Sequence, residues 1–162
     1  MINYFNSIKE RDPAYHNFIY TILFYPGVKA LFLYRIAHFL YLIHFYFLAL
    51  LITSFSKRHY SIEIHPGAKI GKNLFIDHGF GVVIGQTAII GNNVTIYHGV
   101  TLGANQNTNK KRHPTIKDNV IIGCHAVILG DITIGNNAKI GANATVLNNV
   151  PDNTTIKGPK AN

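Results

Sequence analysis

Histidine and acidic side chains at two interruptions of a repeat are the residues best suited to chemistry in this sequence. Asp77 and His78 lie in one interruption, and Arg112 and His113 lie in the other. The chain has only seven acidic residues, so Asp77 beside His78 stands out, as does Glu63 fifteen residues earlier. An imidazole can take a proton from a hydroxyl near neutral pH, and a carboxylate stabilises the resulting imidazolium. The residues predict general acid–base chemistry with His78 as the base.

The spacing between Glu63 and His78 is close to one turn of the repeat. We therefore expect the two side chains on neighbouring rungs, about 5 Å apart, where the carboxylate would orient the imidazole. A second interpretation stays open, because Glu63 and Asp77 would also suit solvated positions at turns.

A six-residue repeat over residues 64–150 positions these side chains. An aliphatic residue recurs at nearly every sixth position, and a small or apolar residue follows four places later. This period belongs neither to an ordinary strand nor to an amphipathic helix, and hexapeptide repeats are typical of parallel β-helices. We predict a mainly β protein, a left-handed parallel β-helix, preceded by a short α-helical segment. The recurring aliphatic residues are Ile64, Ile70, Ile76, Ile84, Ile90, Ile96, Leu102, Ile116, Ile122, Ile128, Ile134, Ile140 and Val146.

The repeat is interrupted twice. The step from Ile76 to Ile84 is eight residues, and the step from Leu102 to Ile116 is fourteen. A stacked solenoid accommodates extra residues at its corners, and a long excursion in a compact fold is often a binding loop. We therefore predict an excursion loop over residues 104–115 and expect function at both interruptions.

The first 60 residues are rich in aromatic side chains and lack the six-residue repeat. We therefore divide the chain into a helical segment, 1–60, and a β-helix domain, 61–162. Helices are predicted over about 14–25, 27–44 and 46–56, with a break at the Pro-Gly pair. Residues 36–55 carry no formal charge and are long enough to span a membrane, although histidines and hydroxyl groups dilute them. We favour buried or subunit-facing helices, and peripheral membrane contact through residues 36–55 stays open.

Composition narrows the class of protein. The single cysteine excludes an internal disulfide and a cysteine-based zinc cluster, and the histidines lack the usual spacing of metal ligands, so no metal is expected. No charged segment with a cleavage site opens the chain, which favours a cytoplasmic protein. The formal charge of +8 comes from scattered basic residues, which favours a small anionic ligand over nucleic acid.

Several stretches together resemble the serine O-acetyltransferases of the hexapeptide acyltransferase superfamily. The resemblance covers nearly the whole chain and includes its irregular parts. It implies acetyl-CoA as co-substrate, L-serine as acceptor and a homotrimer. The matching stretches are residues 11–14 (RDPA), 34–38 (YRIAH), 62–71 (IEIHPGAKIG), 76–79 (IDHG), 82–85 (VVIG) and 111–114 (KRHP).

The resemblance also implies a role for each matching residue. His78 falls on the catalytic base and Glu63 on the acid paired with it. Asp12 and Asp77 fall on the acids that receive the serine ammonium, and Arg112 and His113 fall on the groups that hold its carboxylate. The backbone and side-chain contacts implied for acetyl-CoA are Gly103, Ala104, Gly123, Cys124 and Lys139.

Two alternatives stay open from the sequence. Gln86, His98 and Ala104 differ from the residues usual in serine acetyltransferases, and a related branch acetylates sugars during polysaccharide assembly. A catalytically silent scaffold is a third hypothesis. Retention of the acid, base and arginine residues together disfavours it, because a scaffold needs none of them.

Overall fold

The computed structural model describes residues 2–159, which form a helical segment followed by a parallel β-helix. The helices are α1 (Ile2–Arg11), α2 (Phe18–Phe24), α3 (Pro26–Leu42) and α4 (Tyr46–Tyr60). The strands are β1 (Ile62–Ile64), β2 (Lys69–Ile70), β3 (Phe75–Ile76), β4 (Val82–Ile84), β5 (Ile89–Ile90), β6 (Thr95–Ile96), β7 (Thr101–Gly103), β8 (Thr115–Ile116), β9 (Ile121–Ile122), β10 (Val127–Leu129), β11 (Thr133–Ile134), β12 (Lys139–Ile140), β13 (Thr145–Val146) and β14 (Thr155–Ile156).

The strands form three parallel sheets, as the hexapeptide repeat predicts. Sheet A has the order β1-β4-β7-β10-β13, sheet B has β2-β5-β8-β11, and sheet C has β3-β6-β9-β12-β14. Every third strand from β1 to β13 therefore returns to the same sheet, one coil further along. The next rung of sheet B is only a bridge between Ile134 and Val150, so β14 follows β12 in sheet C. We name the corners by the sheets they join in chain order: the AB, BC and CA corners.

The repeating aliphatic residues form the core of the prism. Ile64, Ile84 and Leu102 stack in register along sheet A, and each is at most 3% exposed. The coil from Ile64 to Ile84 is 20 residues long because the CA corner at 77–81 holds two extra residues. The loop over residues 104–114 leaves the AB corner, and Thr115 already belongs to β8.

The BC corner is built from a column of asparagines in left-handed conformation. Their φ angles lie between 55° and 59°, a region that asparagine tolerates better than most side chains. Each side-chain amide donates to the next along the column at 2.9–3.3 Å. The residues are Asn73, Asn93, Asn119, Asn137 and Asn153.

The helices differ in part from the prediction. The sequence did not predict α1, and α2 begins only at Phe18 because Asn17 caps it by accepting from two backbone N–H groups. Helix α3 begins at Pro26, a favoured first position for proline. A turn at residues 43–45 separates α3 from α4, and no helix among the described residues is long and apolar enough to cross a membrane.

The helices pack on the first coils of the β-helix. The hydroxyl of Tyr34 donates to the carbonyl of Ala68, and the guanidinium of Arg35 donates to that of Ile70. Gly27 packs so closely on Ile76 that a side chain there would overlap it. The inner faces of these helices are buried, as expected, and the outer faces of α2, α3 and α4 are exposed in the single chain. Their contact with a neighbouring subunit stays a prediction.

Candidate active site

The predicted base, His78, lies at the first CA corner. The corner turns tightly, with Gly79 N–H donating to the carbonyl of Asp77, and His78 itself has a φ of 60°. This conformation turns the imidazole outward, leaving its side chain 70% exposed. Its Nε2 lies 3.8 Å from Oδ2 of Asp77, which is too far for a hydrogen bond.

Asp12 is bound by Tyr25, a residue that sequence reasoning missed. One Asp12 oxygen accepts from the hydroxyl of Tyr25 at 2.5 Å, and the other accepts from Ala14 N–H. Burial, the hydrogen bond to Asp12 and the charges of Asp12 and Asp77 raise the pKa of Tyr25 to about 12. Tyr25 therefore stays protonated near neutral pH and binds Asp12, and the charge of Asp77 also acts on its hydroxyl. No motif contains Tyr25, and only its position before the Pro-Gly break marked it.

Glu63 points outward from the middle of β1, on the outer face of sheet A. Its register partner is Val83 rather than a residue of the CA corner, because the first coil is two residues longer than a regular one. Its carboxylate forms an ion pair with Lys57 at 2.6 Å. Among the described residues, no hydrogen bond or ion pair joins Glu63 to His78, so the predicted pairing is absent from this arrangement.

His113 lies at the AB corner, where the loop returns to the prism. Its imidazole packs against Gly85 and fills the space that a side chain at position 85 would occupy. Its Nδ1 lies 2.8 Å from the hydroxyl of Thr87. The same hydroxyl accepts from the backbone N–H groups of Arg112 and His113. Burial, and then the neighbouring cations, lower the pKa of His113 below its ordinary value. His113 is therefore a neutral imidazole near pH 7.

The guanidinium of Arg112 is held at the same corner. It donates to the side-chain oxygen of Gln86 at 3.1 Å and to the carbonyl of Thr108 at 2.6 Å. The amide of Gln86 in turn donates to the hydroxyl of Tyr41 on α3. A neutral amide positions Arg112 without neutralising it, so the cation keeps its charge for an anionic ligand.

The two charged groups face the same sheet from opposite edges. Asp77 and His78 lie at the CA corner, where strands of sheet A begin, and Arg112 and His113 lie at the AB corner, where these strands end. The described residues show no hydrogen bond or ion pair between the groups. One chain therefore holds an acidic and a basic half of the predicted site without joining them.

The residues predicted to contact acetyl-CoA follow the same two corners. Gly103 and Ala104 lie at the AB corner, and Gly123 and Cys124 lie at the CA corner two coils beyond His78. The N–H of Gly123 donates to Ile140 in the coil ladder, so it cannot also stabilise an oxyanion. Within residues 2–159, no backbone or side-chain acceptor pairs with the N–H of Ala104 or Cys124. Lys139 points outward from β12 on sheet C.

Two further histidines, His98 and His125, lie at the CA corners of the next two coils after that of His78. Their spacing in the sequence did not predict a metal site. The ring centroid of His98 lies 5.7 Å from that of His78 and 5.0 Å from that of His125, with nearly perpendicular planes. The Nδ1 of His98 is buried without a partner among the described residues. The residues described contain no cluster of three or more His, Cys, Asp or Glu side chains that could hold a metal ion.

Known proteins resemble this chain in sequence. Residues 113–148 match the family model of the bacterial transferase hexapeptide (six repeats). The chain is 52% identical to the serine acetyltransferase of Bacillus subtilis over 153 residues, covering 94% of this chain and 70% of that one. It is 51% identical to the serine acetyltransferase of Helicobacter pylori over 154 residues, covering 95% and 90%. The chain belongs to the serine acetyltransferase family. Its prediction from the motifs is thus confirmed.

A solved serine acetyltransferase shares the fold over the whole described chain. The Neisseria gonorrhoeae serine acetyltransferase in complex with serine has a TM-score of 0.91 and 42% identity, covering 98% of this chain. This chain spans 65% of the length of that protein. The likeness extends through the helices as well as the β-helix, so the α1–α4 segment is part of the shared fold rather than an appendage.

Proposed function

We propose that this protein transfers the acetyl group of acetyl-CoA to the hydroxyl of L-serine, giving O-acetylserine for cysteine synthesis. The observation that carries the proposal is the pair of oppositely charged groups at the two edges of sheet A. Asp77 lies beside the exposed base His78, Asp12 is bound by Tyr25, and Arg112 and His113 lie at the other edge. Membership of the serine acetyltransferase family supports the same reaction.

The charges suit an amino acid rather than a neutral acceptor. The carboxylates of Asp12 and Asp77 receive the ammonium group, and the planar guanidinium of Arg112 offers a fork that matches a carboxylate. Neutral His113 contributes a hydrogen bond to the same carboxylate without a competing charge. A sugar hydroxyl would leave both charged groups unpaired, which makes a sugar a poorer acceptor for this site.

In the proposed mechanism, His78 takes the proton from the serine hydroxyl as its oxygen attacks the carbonyl carbon of the thioester. Collapse of the tetrahedral intermediate breaks the carbon–sulfur bond, and the departing thiolate receives the proton from the imidazolium of His78. Glu63 is the acid proposed to stabilise that imidazolium. In this role Glu63 exchanges its exposed ion pair with Lys57 for His78, a small cost because exposed pairs contribute about 0–1 kcal/mol.

The acetyl-CoA contacts remain proposals for Gly103, Ala104, Cys124 and Lys139. The N–H groups of Ala104 and Cys124 are the candidates to bind the oxyanion or the pantetheine amides, because neither donates within the coil ladder. Gly123 contributes through its carbonyl or by allowing close approach. The ammonium of Lys139 is exposed on sheet C and is proposed to contact a phosphate of the cofactor.

A homotrimer would join the two half-sites. Strand β4 separates the CA corner from the AB corner by three residues, about 10 Å, so a complete site needs the AB corner of one subunit beside the CA corner of the next. A cyclic arrangement satisfies this for every subunit at once. We therefore propose three active sites, each shared between two neighbouring subunits.

Release of free CoA from acetyl-CoA tests the activity directly. The purified protein should release CoA with millimolar L-serine and much less with D-serine, glucose or galactose. Arg112→Ala should reduce turnover of L-serine about 10- to 150-fold and change the KM for acetyl-CoA little. Release of CoA with a hexose but none with L-serine would overturn the proposal in favour of a sugar acetyltransferase.

Subunit mixing tests the shared site. His78→Asn and His113→Ala proteins should each be inactive or nearly so, but exchange of their subunits should restore part of the activity. Recovery requires that one intact His78 and one intact His113 meet across an interface. Light scattering that gives a monomer mass at micromolar concentration, or no recovery after verified exchange, would contradict the arrangement.

A further inference from the structure

Helix α3 carries apolar residues on both of its faces. Ala30, Tyr34 and Ala37 pack inward and are at most 2% exposed. Phe32 and Phe39, on the opposite side, are 66% and 61% exposed. A surface helix of a globular protein normally presents charged or polar side chains to water on that side. The outer side of α3 therefore lacks the composition of a solvated surface.

Helix α4 repeats the pattern. Ala49 is buried, whereas Phe47, Leu51 and Phe55, spaced four residues apart, are 79%, 57% and 47% exposed. Because α3 and α4 pack side by side as a hairpin, their outer residues form one apolar helical surface, to which α2 adds its exposed residues. The members are Phe18, Ile19, Tyr20, Ile22, Leu23, Phe24, Phe32, Ile36, Phe39, Leu42, Ile43, Phe45, Tyr46, Phe47, Leu48, Leu50, Leu51 and Phe55.

The charges around this surface have one sign. Residues 13–62 contain no acidic residue. Lys57 and Arg58 lie in the exposed last turn of α4, and the ammonium of Lys29 lies 5.9 Å from the ring centroid of Tyr60, in that same turn. The apolar helical surface is therefore bordered by cations at one end. Lys57 is paired with Glu63 of β1, whereas Lys29 and Arg58 have no acidic partner among the described residues.

Charge decides among the possible occupants of this surface. A two-fold contact with a second copy through this surface would place Lys29 and Arg58 of both chains at the same interface, because such a contact joins the same patch on each chain. An anionic lipid surface complements the cations and also accepts the apolar side chains between its headgroups and acyl chains. Helices α3 and α4 both pack on β1, and no helix among the described residues is long and apolar enough to cross a membrane. The helices would therefore contact a bilayer with their outer sides, at its surface.

We propose that the apolar helical surface of α2–α4 binds the surface of an anionic lipid bilayer. The aromatic and aliphatic side chains enter the interface between headgroups and acyl chains, and Lys29 and Arg58 contact the phosphates. The β-helix then stands on the membrane by its helical end, where α3 and α4 contact β1 and β3. This binding is independent of the acetyl transfer proposed above.

Flotation with lipid vesicles tests the proposal on the full chain. Vesicles of equal parts phosphatidylglycerol and phosphatidylcholine should carry the protein, and vesicles of phosphatidylcholine alone should carry about tenfold less. The double variant Phe47→Ser/Leu51→Ser should reduce the bound fraction about tenfold, and Arg58→Glu should reduce it on the anionic vesicles only. Circular dichroism and CoA release would show that each variant is folded, since none of these residues belongs to the proposed active site.

Leu147→Ser is the matched control, because Leu147 is also about half exposed, at 51%, but lies on the β-helix after β13. It should bind vesicles like the unmodified protein. Equal binding by Leu147→Ser and Phe47→Ser/Leu51→Ser would overturn the proposal. If the protein does not bind vesicles, and its molecular mass by light scattering falls only in the double variant, the proposal is overturned in favour of a second copy on this surface.

Discussion

The imidazole of His113 lies against the backbone of Gly85, in the space that a side chain at position 85 would occupy. A Cβ added there would overlap both Cδ2 and Nε2 of the imidazole. The absence of a side chain at Gly85 therefore determines where His113 stands at the AB corner. Thr87 completes the arrangement by holding Nδ1 of the same ring.

Gly85→Ala should therefore act on catalysis through His113. We expect kcat/KM for L-serine to fall about 10- to 100-fold, because displacement of a substrate-holding group by about 1 Å has effects of that size. The double variant Gly85→Ala/His113→Ala should be no worse than His113→Ala alone, since the affected group is already missing. Additive losses in this cycle would show that Gly85 acts independently of His113.

Replacement of His78 should remove most of the activity and leave the fold intact. General acid–base catalysis contributes about 10²- to 10⁴-fold, and the His78 side chain is 70% exposed, so its removal opens no cavity. His78→Asn suits the left-handed φ of 60° better than His78→Ala, as the asparagines of the BC corner show. Glu63→Gln should lose less. Turnover above a third of the unmodified rate in folded His78→Asn would refute the assignment.

Tyr25→Phe should weaken the recognition of serine without affecting acetyl-CoA. The hydroxyl of Tyr25 holds a carboxylate oxygen of Asp12, and hydrogen bonds to charged groups contribute about 1.5–3 kcal/mol. We expect the KM for L-serine to rise about tenfold or more. The tyrosine packs against Phe75 by its ring, which phenylalanine preserves. Unchanged steady-state kinetics would show that Asp12 needs no support from Tyr25.

Acidification should destabilise the protein through its buried neutral histidines. Burial and nearby cations lower the pKa of His113, and burial lowers that of His65. As the pH falls below about 6.5, the unfolded chain binds protons at these positions that the folded chain does not, so the free energy of unfolding decreases. Each residue contributes a slope of at most about 1.4 kcal/mol per pH unit.

Urea unfolding between about pH 7.5 and 5.5, at one protein concentration, measures this slope. His113→Gln should flatten it, because glutamine does not titrate. A slope in His113→Gln equal to that of the unmodified protein would mean that His113 takes up protons equally in both states.

Asn119 should contribute to stability through its backbone conformation as well as its hydrogen bonds. It has a φ of 59° and pairs by its amide with Asn93 and Asn137. Asn119→Ala should lower the free energy of unfolding by about 1–2 kcal/mol, because alanine disfavours this conformation and makes no such bonds. Asn119→Gly should lose less, since glycine adopts a positive φ without strain. Equal losses in both variants would assign the effect to hydrogen bonds alone.

The β-helix could be predicted from sequence because its core is determined by local spacing. An aliphatic residue at each sixth position, such as Ile84 or Leu102, points inward whatever the rest of the chain does. Helix α1 had no comparable signal. It is held by tertiary contacts, in which Arg11 donates to the carbonyls of Asn73 and Val94. A single sequence does not reveal such long-range contacts.

The candidate site was predictable by residue type but not by arrangement. Motifs identified His78, Glu63 and Arg112, yet their distances depend on the lengths of individual coils. The two residues added at the first CA corner move Glu63 into register with Val83, which a count of fifteen residues from His78 does not show. Tyr25 was missed because its contact with Asp12 spans helix α2 and belongs to no motif.

The register of the coils also determines which changes in length this protein can absorb. Beyond the loop, Ile116 stacks on Ile134 and Ile128 on Val146, each at an offset of 18 residues. Duplication of one such segment would add a rung about 5 Å tall and leave every inward side chain inward, whereas a gain of one residue in a strand would turn its core residues to solvent. His78 and Glu63 precede these rungs, so the prism can grow or shrink by whole rungs at its far end during evolution without altering the proposed catalytic base or the acid proposed to support it.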